Sequence, residues 1–143
     1  MTEITFHFNV PDRSAYACRL LRKATRQGAR IAVTGTPESL VRLDRDLWEF
    51  DPVEFIPHVL LRSGQALAAR LQSTPVLLVE RPDDTDRHEV LVNLGEQAPV
   101  GFESYSRLIE IVSTADDDRS AARFRWKHYA ARGYSIKRHE VAD

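Results

Sequence analysis

Two observations predict an α/β fold, one domain in which a mostly parallel sheet is covered by helices on both faces. Short runs rich in branched apolar residues alternate with segments whose apolar residues recur every three or four positions, the order that builds a layered core. The chain has 143 residues and no internal repeat, low-complexity tract or linker, which fits a single domain, 1–143, with its own core.

ITFHFNV, residues 4–10, alternates and is rich in rings and branched side chains, so it reads as a strand ended by Pro11 and Asp12. Residues 14–27 carry Ala17, Leu20, Leu21 and Ala24 at helical spacing, and Gly28 stops them. ARIAVTG is a short apolar strand. Pro37 opens a second helix through Leu40, Val41, Leu43, Leu47 and Trp48. DPVEFIPHVLL, with two prolines, reads as an extended segment with loops, and residues 63–72 as a helix. PVLLVE, EVLVNLG and RLIEIVS are strands. RPDDTDRH and EQAPVGFESYS are connections, the latter with a short helical turn. A last helix runs from about residue 116 to 132, Gly133 ends it, and SIKRHEV forms an edge strand.

Hydrophobic residues make up 43% and charged residues 29%, the balance of a soluble globular protein. No apolar run approaches a membrane span, and MTEITFHFNV lacks the basic start of a signal peptide. Cys18, the only cysteine, falls in a helical pattern and reads as a reduced, buried thiol. A cytoplasmic protein is expected.

Catalytic and cofactor signatures are missing from the sequence. The turn after the first strand, NVPDRS, has no glycine, whereas a dinucleotide fold needs small residues there so that backbone can approach a pyrophosphate. VTGTPES lacks the Lys-Ser/Thr of a phosphate loop. His7, His58, His88, His128 and His139 include no i, i+4 pair, so no zinc site is expected. Asp116, Asp117 and Asp118 could suggest magnesium. A capping box from Ser113 or Thr114, with acids in a first helical turn, explains them better. No cofactor, metal or catalytic residue is expected.

The charge distribution is more informative than the net charge of −1. Residues 119–139 hold seven Lys or Arg and no Asp or Glu, which leaves 13 basic and 21 acidic residues elsewhere, or −8. Such polarity suggests a local anionic partner. On a helical wheel Ala122, Trp126, Tyr129 and Ala130 share one arc. Arg119, Arg123 and Lys127 follow at i, i+4 and i+8 along one border, and Arg125 and Arg132 flank the other. Three like charges in one column repel unless an anion relieves them. With Trp126 beside them, the column suits a ligand with carboxylates and an aromatic end, or single-stranded nucleic acid whose bases stack on rings.

The segments LWEFDPVEFIPH, HEVLVNLG, RLIEIVS and ARFRWKHYAARGYSI, in this order and spacing, give the chain a resemblance to the chi subunit family of bacterial DNA polymerase III, nearly end to end. The resemblance implies a non-enzymatic accessory subunit with a Rossmann-like fold. Such a subunit is a monomer alone, joins the clamp loader as a heterodimer with psi, and associates with single-stranded DNA only indirectly. It also implies binding of the acidic C-terminal tail of single-stranded DNA-binding protein, which ends in an aromatic residue and a free carboxylate. The tail-binding positions map onto Arg119, Arg123, Trp126 and Lys127, with Val112 at the preceding strand end. Lysine and tyrosine are familiar where Arg119 and Trp126 stand. The psi-facing positions map onto Trp48, Phe55, Pro57 and Val59. Trp48 and Phe55 flank a proline-broken stretch and suit either an irregular apolar interface or the core.

Overall fold

The computed structural model describes residues 1–51, 53, 55–62 and 71–141. Among these residues seven strands and three α-helices follow in the order β1 (Glu3–Val10), α1 (Arg13–Arg26), β2 (Ile31–Thr34), α2 (Pro37–Glu49), β3 (His58–Leu61), β4 (Val76–Val79), β5 (Val90–Asn93), β6 (Arg107–Ser113), α3 (Asp116–Ala131) and β7 (Ile136–Glu140). The strands form one sheet in the order β3-β4-β2-β5-β6-β1-β7, and every pairing is parallel. The helix expected over residues 63–72 falls almost wholly on residues outside those described.

A parallel sheet must be covered on both faces, and two apolar clusters do this. On one face α1 and α2 pack Ala17, Cys18, Leu21, Leu40, Leu43 and Leu47 onto Ile31, Val33, Val76, Leu78, Val92 and Ile111. On the other, α3 packs Ala122 and Tyr129 onto Ile4, Phe6, Ala32, Leu91, Leu108 and Val112. The fully apolar reading of the central strands follows: VLLV and IAVT are buried at every position. Cys18 lies within the first cluster, and burial pushes its thiol up to about 12.

Local sequence sets the helix ends. Asp12 caps α1 by accepting from Ala15 N at 3.1 Å, and Thr36 caps α2 by accepting from Ser39 N at 3.2 Å, with Pro37 in the first turn. Gly28 and Gly133 adopt left-handed backbone, φ 85° and 83°, and close α1 and α3. At α3, Tyr134 N reaches Tyr129 O at 3.2 Å and Gly133 N reaches Ala130 O at 3.0 Å, the paired bonds of a glycine C-terminal cap.

The extended part of the proline-rich segment is HVLL, which forms β3 at a sheet edge, where Pro57 precedes the strand and removes no ladder bond. One local expectation changes. No capping box starts α3. Its N-cap is Ala115, and the Asp118 carboxylate instead reaches back to Ser113 N at 2.7 Å while lying 3.7 Å from Arg13 Nε. The acidic first turn thus tethers α3 to β6 and to the start of α1.

Candidate peptide-binding cleft

The placement of α3 depends on a buried charge in the middle of β6. Leu108 and Val112 face α3, so Glu110 between them faces it too and is 0% exposed. Its Oε1 accepts from Arg125 Nε at 3.0 Å, and its Oε2 accepts from the Tyr129 hydroxyl at 2.5 Å. Asn93 Nδ2, from β5, donates to both oxygens at 3.0 and 3.1 Å. Arg125, only 2% exposed, also donates from Nη1 to Glu96 O at 2.9 Å. Burial pushes the Glu110 carboxyl up, and the Arg125 guanidinium with the donated hydrogen bonds pulls it back.

This ion pair corrects the helical wheel. Arg125 is not a rim residue. The buried positions of α3 are Ala122, Arg125 and Tyr129, while Ala130 is exposed. The buried stripe is turned roughly 60° toward Arg125 at 100° per residue. The turn leaves Trp126 half-buried at the edge and Arg119, Arg123 and Lys127 fully on the outer side.

These four side chains line a cleft of about 300 Å³ with Ala122, Phe8 and Arg138. Trp126 packs on Phe6 with centroids 5.1 Å apart and on Phe8 at 6.1 Å. Val112 does not line the cleft; it is fully buried in the cluster behind α3, and Phe8 supplies the apolar wall in its place. Arg138 holds its guanidinium carbon 4.9 Å from the Phe8 ring centre. Among the described residues none of Arg119, Arg123, Lys127 and Arg138 has a carboxylate within ion-pair distance.

Sequence reasoning missed Phe8 and Arg138 because their meeting depends on strand order. β7 pairs with β1, bringing Arg138 opposite Phe6, and Val141 N extends the contact to Phe8 O at 2.9 Å. A bulge in β1 then shifts the register against β6 between His7 and Val10, with Asn9 at φ 61°. The bulge leaves Phe8 on the α3 side and sends Val10 to the α1 side.

A second surface lies at the opposite edge of the sheet. Trp48 on α2 and Phe55 are 59% and 53% exposed and stack at 4.8 Å. The buried His58 ring meets Trp48 edge-on at 5.0 Å. Its Nδ1 donates to Ile56 O at 2.7 Å, and its Nε2 lies 3.1 Å from Asp44 Oδ1. His58 therefore holds the ring pair in place. Pro57 is exposed, while Val59 is half-buried and packs into the α3-side cluster, on the other face of the sheet from His58. The two rings belong to the surface, not the core.

Among the described residues no group of three or more His, Cys, Asp or Glu could hold a metal ion, and no helix is long and apolar enough to cross a membrane.

The family described as "DNA polymerase III chi subunit, HolC" matches residues 1–137. The chain is 31% identical to DNA polymerase III subunit chi of Pseudomonas aeruginosa, over 99% of this chain and 98% of that one. It is 29% identical to the subunit of the same name from Haemophilus influenzae, over 87% and 85%. Among solved structures, the C-terminal domain of the DEAD-box protein Dbp5 superposes with a TM-score of 0.62 at 12% identity, covering 99% of this chain and 92% of that chain. That likeness is one of fold.

Proposed function

The chain belongs to the DNA polymerase III chi subunit family, whose members are accessory subunits in DNA replication, and we propose that it works as an adaptor between two protein partners. The cationic cleft takes the acidic C-terminal tail of single-stranded DNA-binding protein. The Trp48–Phe55 surface, with Pro57 and Val59, takes the psi subunit of the clamp loader. No chemical step is assigned to the chain, which acts in the cytoplasm at the replication fork.

The observation that carries this reading is the cleft itself: four cations, without acidic partners among the described residues, surround two packed rings. Arg119, Arg123 and Lys127 attract the tail's carboxylates, and its terminal ring packs on Trp126 and Phe8. Each charge contact is exposed and individually weak. Many tails on one coated strand raise the effective concentration, so the tether holds while single contacts exchange.

The test is a titration of a fluorescent aspartate-rich peptide ending in phenylalanine against the wild type and Arg123→Glu. The wild type should bind, more weakly as salt rises, because exposed charges are screened. Arg123→Glu should lose binding by more than about tenfold. Undiminished binding by this variant would remove the cleft from the reading. A second reading, a direct single-stranded DNA-binding module on the same helix, is favoured by Phe124, which is 74% exposed next to Arg123. Bare oligonucleotide binding as tightly as the peptide would select it.

A further inference from the structure

The acid-free block at residues 119–139 has a counterpart. Residues 13–37 hold six Lys or Arg and no Asp or Glu, so seven cations and all 21 acids fall outside the two blocks, or −14. The fold brings both blocks to one edge of the sheet. One supplies α3 and β7. The other supplies α1, which meets β1 from the opposite face, with the Tyr16 and His7 ring centres 5.5 Å apart. Cations therefore flank the β1–β7 edge on both faces, and the adaptor reading uses only the α3 side.

Strand alternation sets what stands on the α1 side. Ile4, Phe6, Leu108 and Ile136 pack toward α3, so Thr5, His7, Arg107, Lys137 and His139 face the other way. His7 and His139 are neighbours in the β1–β7 ladder, with ring centres 5.0 Å apart. Burial first, and then His139 and Arg107, lower the His7 ring to about 4, so it stays neutral at pH 7. On α1 the Arg19 guanidinium lies 5.7 Å from the Tyr16 ring centre. Lys23, seven residues after Tyr16, returns to the same side of the helix. Arg19, Lys23, Arg107 and Lys137 are exposed, and among the described residues none has a carboxylate within ion-pair distance. Of the acids on β1, β6 and β7, Glu110 and Glu140 lie on the α3 side, and only Glu3, in register with Arg107, shares this one.

The make-up of this face selects its partner. A protein partner is held by an apolar centre inside a polar rim. Here Tyr16 and Leu20 are half-buried, and the exposed side chains are cations and the His139 ring. A nucleic-acid backbone needs only cations, and flat polar rings serve as surfaces for unpaired bases. We infer that the α1 side of the β1–β7 edge contacts single-stranded DNA directly, with Arg19, Lys23, Arg107 and Lys137 on its phosphates and no reading of sequence. This contact goes beyond the adaptor reading and does not rest on it.

The experiment titrates a short fluorescent oligothymidylate over a range of salt against wild type, Lys23→Gln/Lys137→Gln, Lys23→Arg/Lys137→Arg and Arg123→Glu. The aspartate-rich peptide ending in phenylalanine is titrated in parallel. The wild type should bind the oligonucleotide at low salt, more weakly than the peptide, with log K falling by about 2.8 per tenfold rise in salt for four phosphate contacts. The Gln pair should lose about tenfold at low salt and flatten that slope by about 1.4, while binding the peptide as the wild type does. The Arg pair should match the wild type on both probes. Arg123→Glu should lose the peptide and keep most of its oligonucleotide affinity. A wild type that does not bind the oligonucleotide overturns the inference, as does a Gln pair with wild-type affinity and slope. A Gln pair that loses the peptide and not the oligonucleotide overturns it in favour of an acidic protein on this face. Oligonucleotide binding lost only in Arg123→Glu overturns it in favour of the α3 helix as the DNA contact. Failure of the wild type to bind the peptide refutes the tail reading and leaves this inference standing.

Discussion

Replacing Arg125 with methionine tests whether α3 is held by the buried ion pair. Methionine keeps much of the volume and removes the 3.0 Å contact to Glu110 and the 2.9 Å bond to Glu96 O. Glu110 then stays fully buried with Tyr129 and Asn93 as its remaining partners. Breaking one half of such a pair costs about 3–5 kcal/mol. A domain of this kind is stable by about 5–15 kcal/mol in total, so the loss is a large fraction. In urea the midpoint should fall by about 2 M with little change in slope. Arg123→Met, two positions earlier and exposed, should stay within about 0.5 kcal/mol. The double variant Glu110→Leu/Arg125→Met should cost clearly less than the two single changes summed, because neither charge is stranded.

A pH arm sharpens the test. Burial raises the folded-state pKa of Glu110, and removing Arg125 removes the strongest opposing influence. For an acid with a raised folded pKa, stability is highest below the unfolded value and falls as pH rises. The deficit of Arg125→Met should therefore be smallest near about pH 4 and widen as the pH is raised. A loss below about 1 kcal/mol, additive in the double variant and flat with pH, would refute the role given to this pair.

Trp48→Ala and Phe55→Ala remove exposed rings, so each should change the urea midpoint little while reducing recovery of co-expressed psi in affinity purification. A large loss of stability instead would return both rings to the core. Asn9→Ala forces a side chain without local hydrogen-bonding capacity into left-handed backbone, costing about 1–2 kcal/mol, and Asn9→Gly should recover most of it in thermal melts. His7, whose Nδ1 lies 2.5 Å from the Tyr16 hydroxyl, is lowered to about 4, by burial first and then by His139 and Arg107. A base with a depressed folded pKa loses stability as pH falls from about 6.5 toward 4, and His7→Phe should lose that part of the slope in denaturant melts.

What the sequence disclosed follows from which interactions are local. β2, β4 and β5 were legible because both faces of a parallel strand are buried and each run is apolar but for the last residue of β2 and β5, Thr34 and Asn93. The ends of α1 and α2 were legible from Pro37 and Gly28, since caps and turns are decided within a few residues. β3 was obscured because Pro57 and the rings before it resemble loop. The buried face of α3 was misread because hydrophobicity assigns every arginine to the surface, while Arg125 is drawn inward by a carboxylate fifteen positions away on a neighbouring strand. An acid inside RLIEIVS, flanked by apolar residues, was the available signal. Arg119, Arg123, Trp126 and Lys127 were legible as one helix edge. Phe8 and Arg138 were not, because only the order of strands in the sheet makes them neighbours.

That order has a mechanical consequence. β3 and β7 are the two outermost strands, so the ring pair beside β3 and the cleft beside β7 stand at opposite ends of a seven-strand span. Six inter-strand steps of about 4.8 Å hold them on the order of 29 Å apart. A continuous hydrogen-bonded sheet between them behaves as a stiff strut with little slack. Two bulky proteins could dock at the same time without colliding, and tension applied at one end would reach the other across the strands, not along a flexible leash.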